Sequence, residues 1–163
     1  ILIIRNRLLV LWLFSPRNKK GQIFMTASKN SLDPVQILCL DGDGIGPEIT
    51  AATRRVLQAV DDCFDLNLTF TTQDIGFVSL AASGTTFPDK VLDAAKAADG
   101  IVMGPVSTVD YPPASEGGIN PSGFLRKQLD LYANIRPAKS YEGLPPRVGD
   151  KVDLVIALSL IHI

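Results

Sequence analysis

The sequence predicts an α/β fold with a largely parallel β-sheet flanked by helices. Short, continuously apolar runs alternate along the chain with segments of helical periodicity. Most of these apolar runs lead into turns rich in glycine and proline. Strands buried on both faces of a parallel sheet are apolar throughout, and alternation of strands with helices is typical of α/β proteins.

The first predicted unit is a strand, a turn and a helix. The run "VQILCL" at residues 35–40 predicts a buried strand that ends in the turn "GDGIG". Pro47 suits the first position of the following helix, and Glu48 suits the positive end of the helix dipole. Apolar residues then repeat at helical spacing, namely Ile49, Ala52, Val56 and Val60.

A second strand, a helix and a third strand follow. "LNLTFTTQDIG" at 66–76 alternates apolar and polar residues, which predicts a strand leading into a loop. "FPDKVLDAAKAADG" predicts a helix with Pro88 near its start and Gly100 just past its end. "GIVMGPV" at 100–106 predicts a strand, and the loop after it is too rich in Gly and Pro for regular structure.

The last predicted elements are a helix from Ser122, its cap, to a halt at Pro137, and a strand "VDLVIAL" at 152–158. The packed stripe of this helix is predicted to be Phe124, Leu125, Leu129 and Tyr132. Functional clefts of parallel sheets lie beyond the carboxyl ends of the strands. We therefore expect the cleft to be lined by loops 41–46 and 104–123 and by the segment around Arg136.

Composition narrows the function classes. The chain has 163 residues, which is enough for one domain. Its net charge of −1 gives no indication of nucleic acid or an anionic membrane as a partner. Cys39 and Cys63 lie far apart and outside any CxxC pair, so we expect two free, packed thiols rather than a disulfide framework or zinc site. His162 is the only histidine and lies at the end, which argues against a hydrolase triad.

Residues 1–33 differ from the rest and are interpreted as a lead-in. Residues 1–24 are apolar and basic without an acidic residue, and their apolar run is too short to span a bilayer. We expect Met25 to be the natural start, with the preceding residues non-native or disordered. A membrane anchor is the alternative interpretation.

The glycines of "GDGIG" allow two interpretations. Their spacing is GxGxG rather than the GxGxxG of a dinucleotide fingerprint, and neither Asp65 nor Asp74 is a convincing ribose partner. The first interpretation is a tight turn that needs positive φ. In the second, exposed N–H groups at the helix start face a ribose or phosphate.

Basic residues near the last predicted helix suit a substrate with several carboxylates. Arg126, Lys127 and Arg136 are close in sequence, and a guanidinium matches a carboxylate with two hydrogen bonds. The alternative is a solvated helix face on which Arg126 pairs with Asp130 one turn on. Acidic and hydroxyl side chains in the preceding loop are either solvated or bind a metal or cofactor, namely Ser107, Thr108, Asp110 and Glu116.

Three segments together resemble the isocitrate/isopropylmalate dehydrogenase family: "GDGIGPEIT", "GPVST" and "LRKQLDLYANIRPAKS". The resemblance runs from about residue 36 to residue 156. It implies an isopropylmalate-dehydrogenase-like fold that is truncated, with 34–163 forming the N-terminal half of such a domain. It also implies oxidation of a malate-like 2-hydroxy acid by NAD or NADP, followed by loss of carbon dioxide with the help of magnesium or manganese.

The resemblance implies roles for individual residues. Arg126 and Arg136 would clamp the substrate carboxylates, and Ser122 would lie in the turn that distinguishes the variable substituent. Ile45, Thr108 and Asp110 would border the cofactor. No catalytic residue and no metal ligand is assigned to this chain, because the family's lysine, tyrosine and metal-binding aspartates would belong to a missing half.

Departures from the family leave the substrate open. Ser122 and Gly123 stand where leucine-biosynthetic members carry two leucines, and Asn120 with Ser122 only loosely matches the isocitrate enzymes. We expect a cytoplasmic protein that is a homodimer at full length, and a fragment that is inactive and leaves an apolar sheet edge exposed. The alternative is a non-catalytic regulatory or anion-binding relative.

Overall fold

The computed structural model describes the backbone of residues 2–4 and, beyond them, residues 34–144, 147, 149 and 151–159. The hypothesis that residues 1–33 are a lead-in, non-native or disordered before Met25, falls almost entirely outside the described residues, and it remains a prediction. The chain divides into two units, Ile1–Pro121 and Ser122–Ile163.

The first unit alternates strands and helices. Its strands are β1 (Leu2–Ile4), β2 (Val35–Leu40), β3 (Leu68–Gln73) and β4 (Gly100–Met103). Its helices are α1 (Gly46–Phe64), α2 (Phe77–Ser83), α3 (Asp89–Ala97) and a short 3₁₀ turn at Ala114–Glu116.

The four strands form one sheet in the order β1-β4-β2-β3. β2 pairs in parallel with β3 on one side and with β4 on the other, so that Ile37 lies opposite both Phe70 and Gly100. β1 pairs antiparallel with β4 at the edge. Because the chain leaves β2 towards one side and returns on the other, loops following β2 and β4 meet at the crevice where ligands bind in such sheets.

The apolar run of β2 is buried on both faces, which confirms the predicted buried strand. Ile37 and Cys39 pack with Val102 of β4 and with Leu57 of α1 on one face. Leu38 and Leu40 alternate onto the other face and are fully buried. This two-sided burial explains why the strand is continuously apolar rather than alternating.

Helix α1 differs from its prediction in two respects. Pro47 occupies the second helical position, since Gly46 is the first helical residue. The predicted apolar stripe is largely exposed, with Ile49 42% and Val56 63% accessible. Leu57 packs against the sheet instead, on the cluster of Ile37, Cys39 and Val102.

Between β3 and β4 the structure has one helix more than predicted. Strand β3 ends at Gln73 rather than at 76, because Gly76 adopts a φ of 76° and donates its N–H to the Thr86 carbonyl oxygen at 2.8 Å. Helix α2 then occupies residues predicted as loop. Helix α3 begins after Pro88, close to the prediction, but Gly100 already belongs to β4.

The last predicted helix is shorter than expected. Helix α4 (Pro121–Gln128) starts one residue before Ser122, so this serine lies inside the helix and is not its cap. Asp130 has a φ of 50°, and the Leu131 N–H donates to the Arg126 carbonyl oxygen at 3.0 Å, which ends the helix well before Pro137. Tyr132, predicted in the packed stripe, is 72% exposed.

The second unit contains a two-stranded antiparallel sheet of β5 (Ala133–Lys139) and β6 (Asp153–Ser159). An ion pair between Lys139 and Asp153, with N and O 3.6 Å apart, lies at one end of this ribbon. Its large apolar side chains are exposed, namely Ile135, Leu154, Val155, Ile156 and Leu158. An isolated two-stranded sheet with this surface has little core of its own.

Both cysteines are free, as predicted, but only one is packed. Cys39 is buried in the core of the sheet, whereas Cys63 is exposed near the end of α1. None of the helices that the structure describes is long and apolar enough to cross a membrane.

Candidate functional site

The glycine turn after β2 packs backbone to backbone against the segment after β4. Gly42 has a φ of 76°, and a Cβ at this position would collide with the Pro105 carbonyl oxygen. The Asp43 N–H donates to that same oxygen at 2.8 Å, and the Gly104 N–H donates to the Leu40 carbonyl oxygen at 2.8 Å. The interpretation of "GDGIG" as a tight turn with positive φ is therefore confirmed, with a close backbone approach as its second cause.

Asp43 is the polar centre of this turn and is 7% exposed. Its Oδ1 accepts the N–H of Phe77 at 2.8 Å, and its Oδ2 accepts the N–H of Ser107 at 2.9 Å and the hydroxyl of Tyr111. Gly76 fits beside it because any Cβ there would collide with the carboxylate. One side chain thus joins the β2–α1 turn, the start of α2 and the loop after β4.

Tyr111 completes this cluster. Its ring meets that of Phe77 edge to face, with centroids 5.1 Å apart. Burial raises the pKa of the Tyr111 phenol, and the hydrogen bond to Asp43 and the charge of Asp43 raise it further. The phenol therefore serves as a hydrogen-bond donor at neutral pH.

Sequence reasoning missed Asp43 and Tyr111 as organisers of the site. Asp43 lies between two glycines of the motif "GDGIG", and its carboxylate is the side chain of this turn that can accept several hydrogen bonds. The prediction considered only the glycines of the motif. Tyr111 carried no local signal, because its partner lies 68 positions away in the sequence.

The predicted cofactor residues of the first unit lie on the two loops that Asp43 joins. Ile45 is 60% exposed at the N-cap of α1. Thr108 is half-buried and Asp110 is exposed, and the Asp110 N–H turns back to the Ser107 carbonyl oxygen at 2.9 Å. Val109 between them is 95% exposed, so both loops present an apolar side chain and the second adds a hydroxyl and a carboxylate.

Two further groups at the end of β2 have altered environments. Burial raises the pKa of the Asp41 carboxyl; nearby Arg54 lowers it, and the charge of Asp74 raises it. Burial likewise raises the pKa of the Cys39 thiol, so this cysteine is not an activated nucleophile. Thr50 is buried, and its hydroxyl has no hydrogen-bond partner among the described residues.

The predicted substrate residues belong to the second unit. Ser122 is half-buried in the first turn of α4, and Arg126 is half-buried in its last turn rather than in its first turns. Arg136 is exposed in β5 opposite Ile156, and so lies in a strand rather than directly after a helix. Among the described residues neither guanidinium forms an ion pair, and the alternative pairing of Arg126 with Asp130 is not formed.

Acidic side chains do not gather into a metal centre in the described part of the chain. No group of three or more His, Cys, Asp or Glu side chains there could hold an ion.

The model of the isocitrate/isopropylmalate dehydrogenase family matches residues 36–161. The chain belongs to this family. It is 38% identical to the 3-isopropylmalate dehydrogenase of Hahella chejuensis over 128 residues, which is 77% of this chain and 36% of that protein. It is 39% identical to the 3-isopropylmalate dehydrogenase of Halalkalibacterium halodurans, over 77% of this chain and 37% of that protein.

Solved structures of the family have the same fold. The isocitrate dehydrogenase of Methylococcus capsulatus matches with a TM-score of 0.61 and 33% identity, over 76% of this chain and 34% of that chain. A β-decarboxylating dehydrogenase from Thermococcus kodakarensis matches with a TM-score of 0.55 and 26% identity, over 76% of this chain and 40% of that one. The predicted α/β class is confirmed, and the chain spans well under half the length of these relatives.

Proposed function

We propose that the chain supplies part of the substrate and cofactor surface of an NAD(P)-dependent dehydrogenase that oxidises and decarboxylates a malate-like 2-hydroxy acid. 3-Isopropylmalate and isocitrate are the proposed substrates, since relatives that carry these names match the chain. The observation that carries the proposal is the family match over residues 36–161, which includes both candidate substrate arginines.

The proposed grip on substrate rests on Arg126 and Arg136. A planar guanidinium donates two parallel hydrogen bonds to a carboxylate, and a malate-like acid offers two carboxylates. Among described residues neither arginine is neutralised by an acidic partner, which leaves both charges available for an anion. Ser122 would contact the variable substituent of the acid.

The proposed cofactor contacts rest on Ile45, Thr108 and Asp110. A nicotinamide ring needs an apolar wall together with a few hydrogen-bonding groups. Exposed Ile45 supplies apolar surface, and Thr108 and Asp110 on the joined loop supply a hydroxyl and a carboxylate. When bound, NAD or NADP would accept the hydride from the substrate carbinol carbon.

We further propose that this chain alone has no turnover. The described residues contain no group of three or more acidic, histidine or cysteine side chains that could hold magnesium or manganese. The exposed apolar side chains of β5 and β6 support the view that further polypeptide normally covers this surface. The full-length enzyme is proposed to be a homodimer in the cytoplasm.

A second candidate function is a non-catalytic anion-binding or regulatory relative. It would use the same two guanidinium groups and require no metal or general base. The described residues have no acidic cluster that could hold a metal ion, and this observation agrees equally with both candidate functions.

A binding and turnover experiment tests both candidates. The purified chain is titrated with 3-isopropylmalate, isocitrate, malate and tartrate by calorimetry, and NAD or NADP reduction is followed by absorbance with magnesium or manganese present. We expect binding of at least one acid without turnover, and weakening by about tenfold or more in Arg126→Gln and in Arg136→Gln. Lys90→Gln on α3 is the matched control for loss of an exposed cation.

The outcomes separate the candidates. Turnover by the chain would refute the inactive-fragment proposal, and equal binding by Arg136→Gln and Lys90→Gln would refute the arginine grip. If the chain binds all four acids with similar affinity, and if NAD or NADP does not increase that affinity, the result would favour the regulatory candidate.

A further inference from the structure

We infer that Asp43 is a positioning residue that holds the loop of Thr108 and Asp110 in a fixed place relative to the turn of Ile45. The functional consequence rests on the proposed cofactor role of those residues. The positioning itself rests only on contacts within the first unit.

The three donors around Asp43 come from two segments that are distant from it in the sequence, the start of α2 and the loop after β4. The Phe77 N–H is 34 positions away, the Ser107 N–H is 64 positions away, and the Tyr111 hydroxyl is 68 positions away. Ser107 and Tyr111 flank Thr108 and Asp110 on both sides. The carboxylate therefore fixes both ends of the segment proposed to contact the cofactor.

The Asp43 carboxylate accepts these three hydrogen bonds with its two oxygens. An amide at this position offers one oxygen and one NH₂ group. In one orientation the NH₂ faces the N–H of Ser107, and in the other it faces the N–H of Phe77. Asp43→Asn therefore leaves one backbone donor without an acceptor while keeping the size of the side chain.

Tyr111→Phe separates this role from general packing. The variant removes one donor but keeps the ring that contacts Phe77, and it leaves Asp43 with both backbone N–H groups. If Asp43 positions the loop, Tyr111→Phe has a smaller effect than Asp43→Asn. If the cluster is only a packed aromatic pair, neither variant changes the backbone of residues 107–111.

The experiment compares the intact chain, Asp43→Asn, Tyr111→Phe and the control Asp93→Asn, an exposed acid on α3. Amide hydrogen exchange is measured at Ser107 and Phe77. We expect exchange at one or both to be at least about tenfold faster in Asp43→Asn and changed less than about threefold in Tyr111→Phe and Asp93→Asn. Equal protection in all four chains would overturn the proposal.

A spectroscopic readout remains useful if Asp43→Asn does not fold. The chain has three tyrosines, so Tyr132→Phe with Tyr141→Phe leaves Tyr111 as the only titrating phenol. Its ultraviolet titration must lie at higher pH than that of a free tyrosine amide, and Asp43→Asn, if folded, must move it towards the free value. If Tyr111 titrates like free tyrosine in the Tyr132→Phe, Tyr141→Phe chain that keeps Asp43, the proposal is overturned.

Titration with NADH, followed by its fluorescence, distinguishes this inference from the proposed function. If the intact chain binds NADH, we expect Asp43→Asn to raise Kd by about tenfold. If it does not bind NADH but the exchange and titration results hold, the proposed cofactor role fails while the positioning by Asp43 stands.

Discussion

Thr86 and Ile119 exchange two hydrogen bonds of 2.7 Å, one from the Thr86 hydroxyl to the Ile119 carbonyl oxygen and one from the Ile119 N–H to the Thr86 hydroxyl. Thr86 is fully buried. Its own N–H donates to the Gly117 carbonyl oxygen at 2.9 Å. The Gly- and Pro-rich loop after β4 is thus fastened near its far end by Thr86, as its near end is fastened by Asp43.

Thr86→Val tests the fastening at the far end. Valine keeps the shape of threonine but removes the hydroxyl, which leaves the N–H and carbonyl of Ile119 without their partner. We expect a loss of about 1–3 kcal/mol in the free energy of unfolding, measured by urea denaturation. Thr71→Val on the exposed side of β3 is the control, and equal effects of the two substitutions would contradict the prediction.

Gly42→Ala and Gly44→Ala separate backbone conformation from close packing. Both glycines have positive φ, at 76° and 58°, but only Gly42 has a carbonyl oxygen where the Cβ would stand. We expect Gly44→Ala to cost about 1 kcal/mol through the left-handed conformation alone. Gly42→Ala should cost at least about 2 kcal/mol more, because the turn must also move away from Pro105.

Denaturation of the two alanine variants side by side checks this difference. Similar losses of stability would mean that the contact between the turn and Pro105 gives way at little cost.

Leu38→Ala and Val56→Ala test which apolar residues form the core. Leu38 is fully buried in β2, so its truncation leaves a cavity and should lower the free energy of unfolding by about 2–5 kcal/mol. Val56 is 63% exposed on α1, so its truncation should change stability by less than about 0.5 kcal/mol. A large loss for Val56→Ala would show that the outer face of α1 is covered in solution.

Asp41→Asn tests the raised pKa at the end of β2. The pKa of Asp41 in the folded state lies above its ordinary value of 3.8, so binding of this proton stabilises the folded chain. This contribution to stability is complete at pH values below 3.8 and is lost as the pH rises through the folded pKa. At neutral pH the charged form is disfavoured by burial, and Asp41→Asn should therefore raise the melting temperature.

Thermal melts of the intact chain and Asp41→Asn at acidic and neutral pH check the sign. The advantage of Asn should disappear in acid, where Asp41 is protonated in both states. Asp93→Asn, an exposed substitution on α3, is the control for removing one negative charge. A lower melting temperature for Asp41→Asn at neutral pH would show that the ionised carboxylate has a stabilising partner.

Prediction from sequence succeeded for elements with a strong local period. The continuously apolar run of β2 and the helical repeat of α1 are properties of neighbouring residues, and both elements formed where expected. It failed where local preference was overridden. Helix α2 begins at a glycine turn that is held by hydrogen bonds to Asp43 and Thr86. Helix α4 ends before Asp130, which adopts a left-handed conformation without being a glycine, so the sequence pattern does not mark this end.

For the candidate site, the sequence by itself determined the family, because the glycine spacing and the arginine segment are local patterns. Only the tertiary structure decided that Asp43 binds donors 34, 64 and 68 positions away and that α1 turns Leu57 rather than Val56 towards the sheet. The physical reason is that a hydrogen-bond acceptor or a buried face is defined by what surrounds it. Those surroundings exist only after distant segments have been brought together.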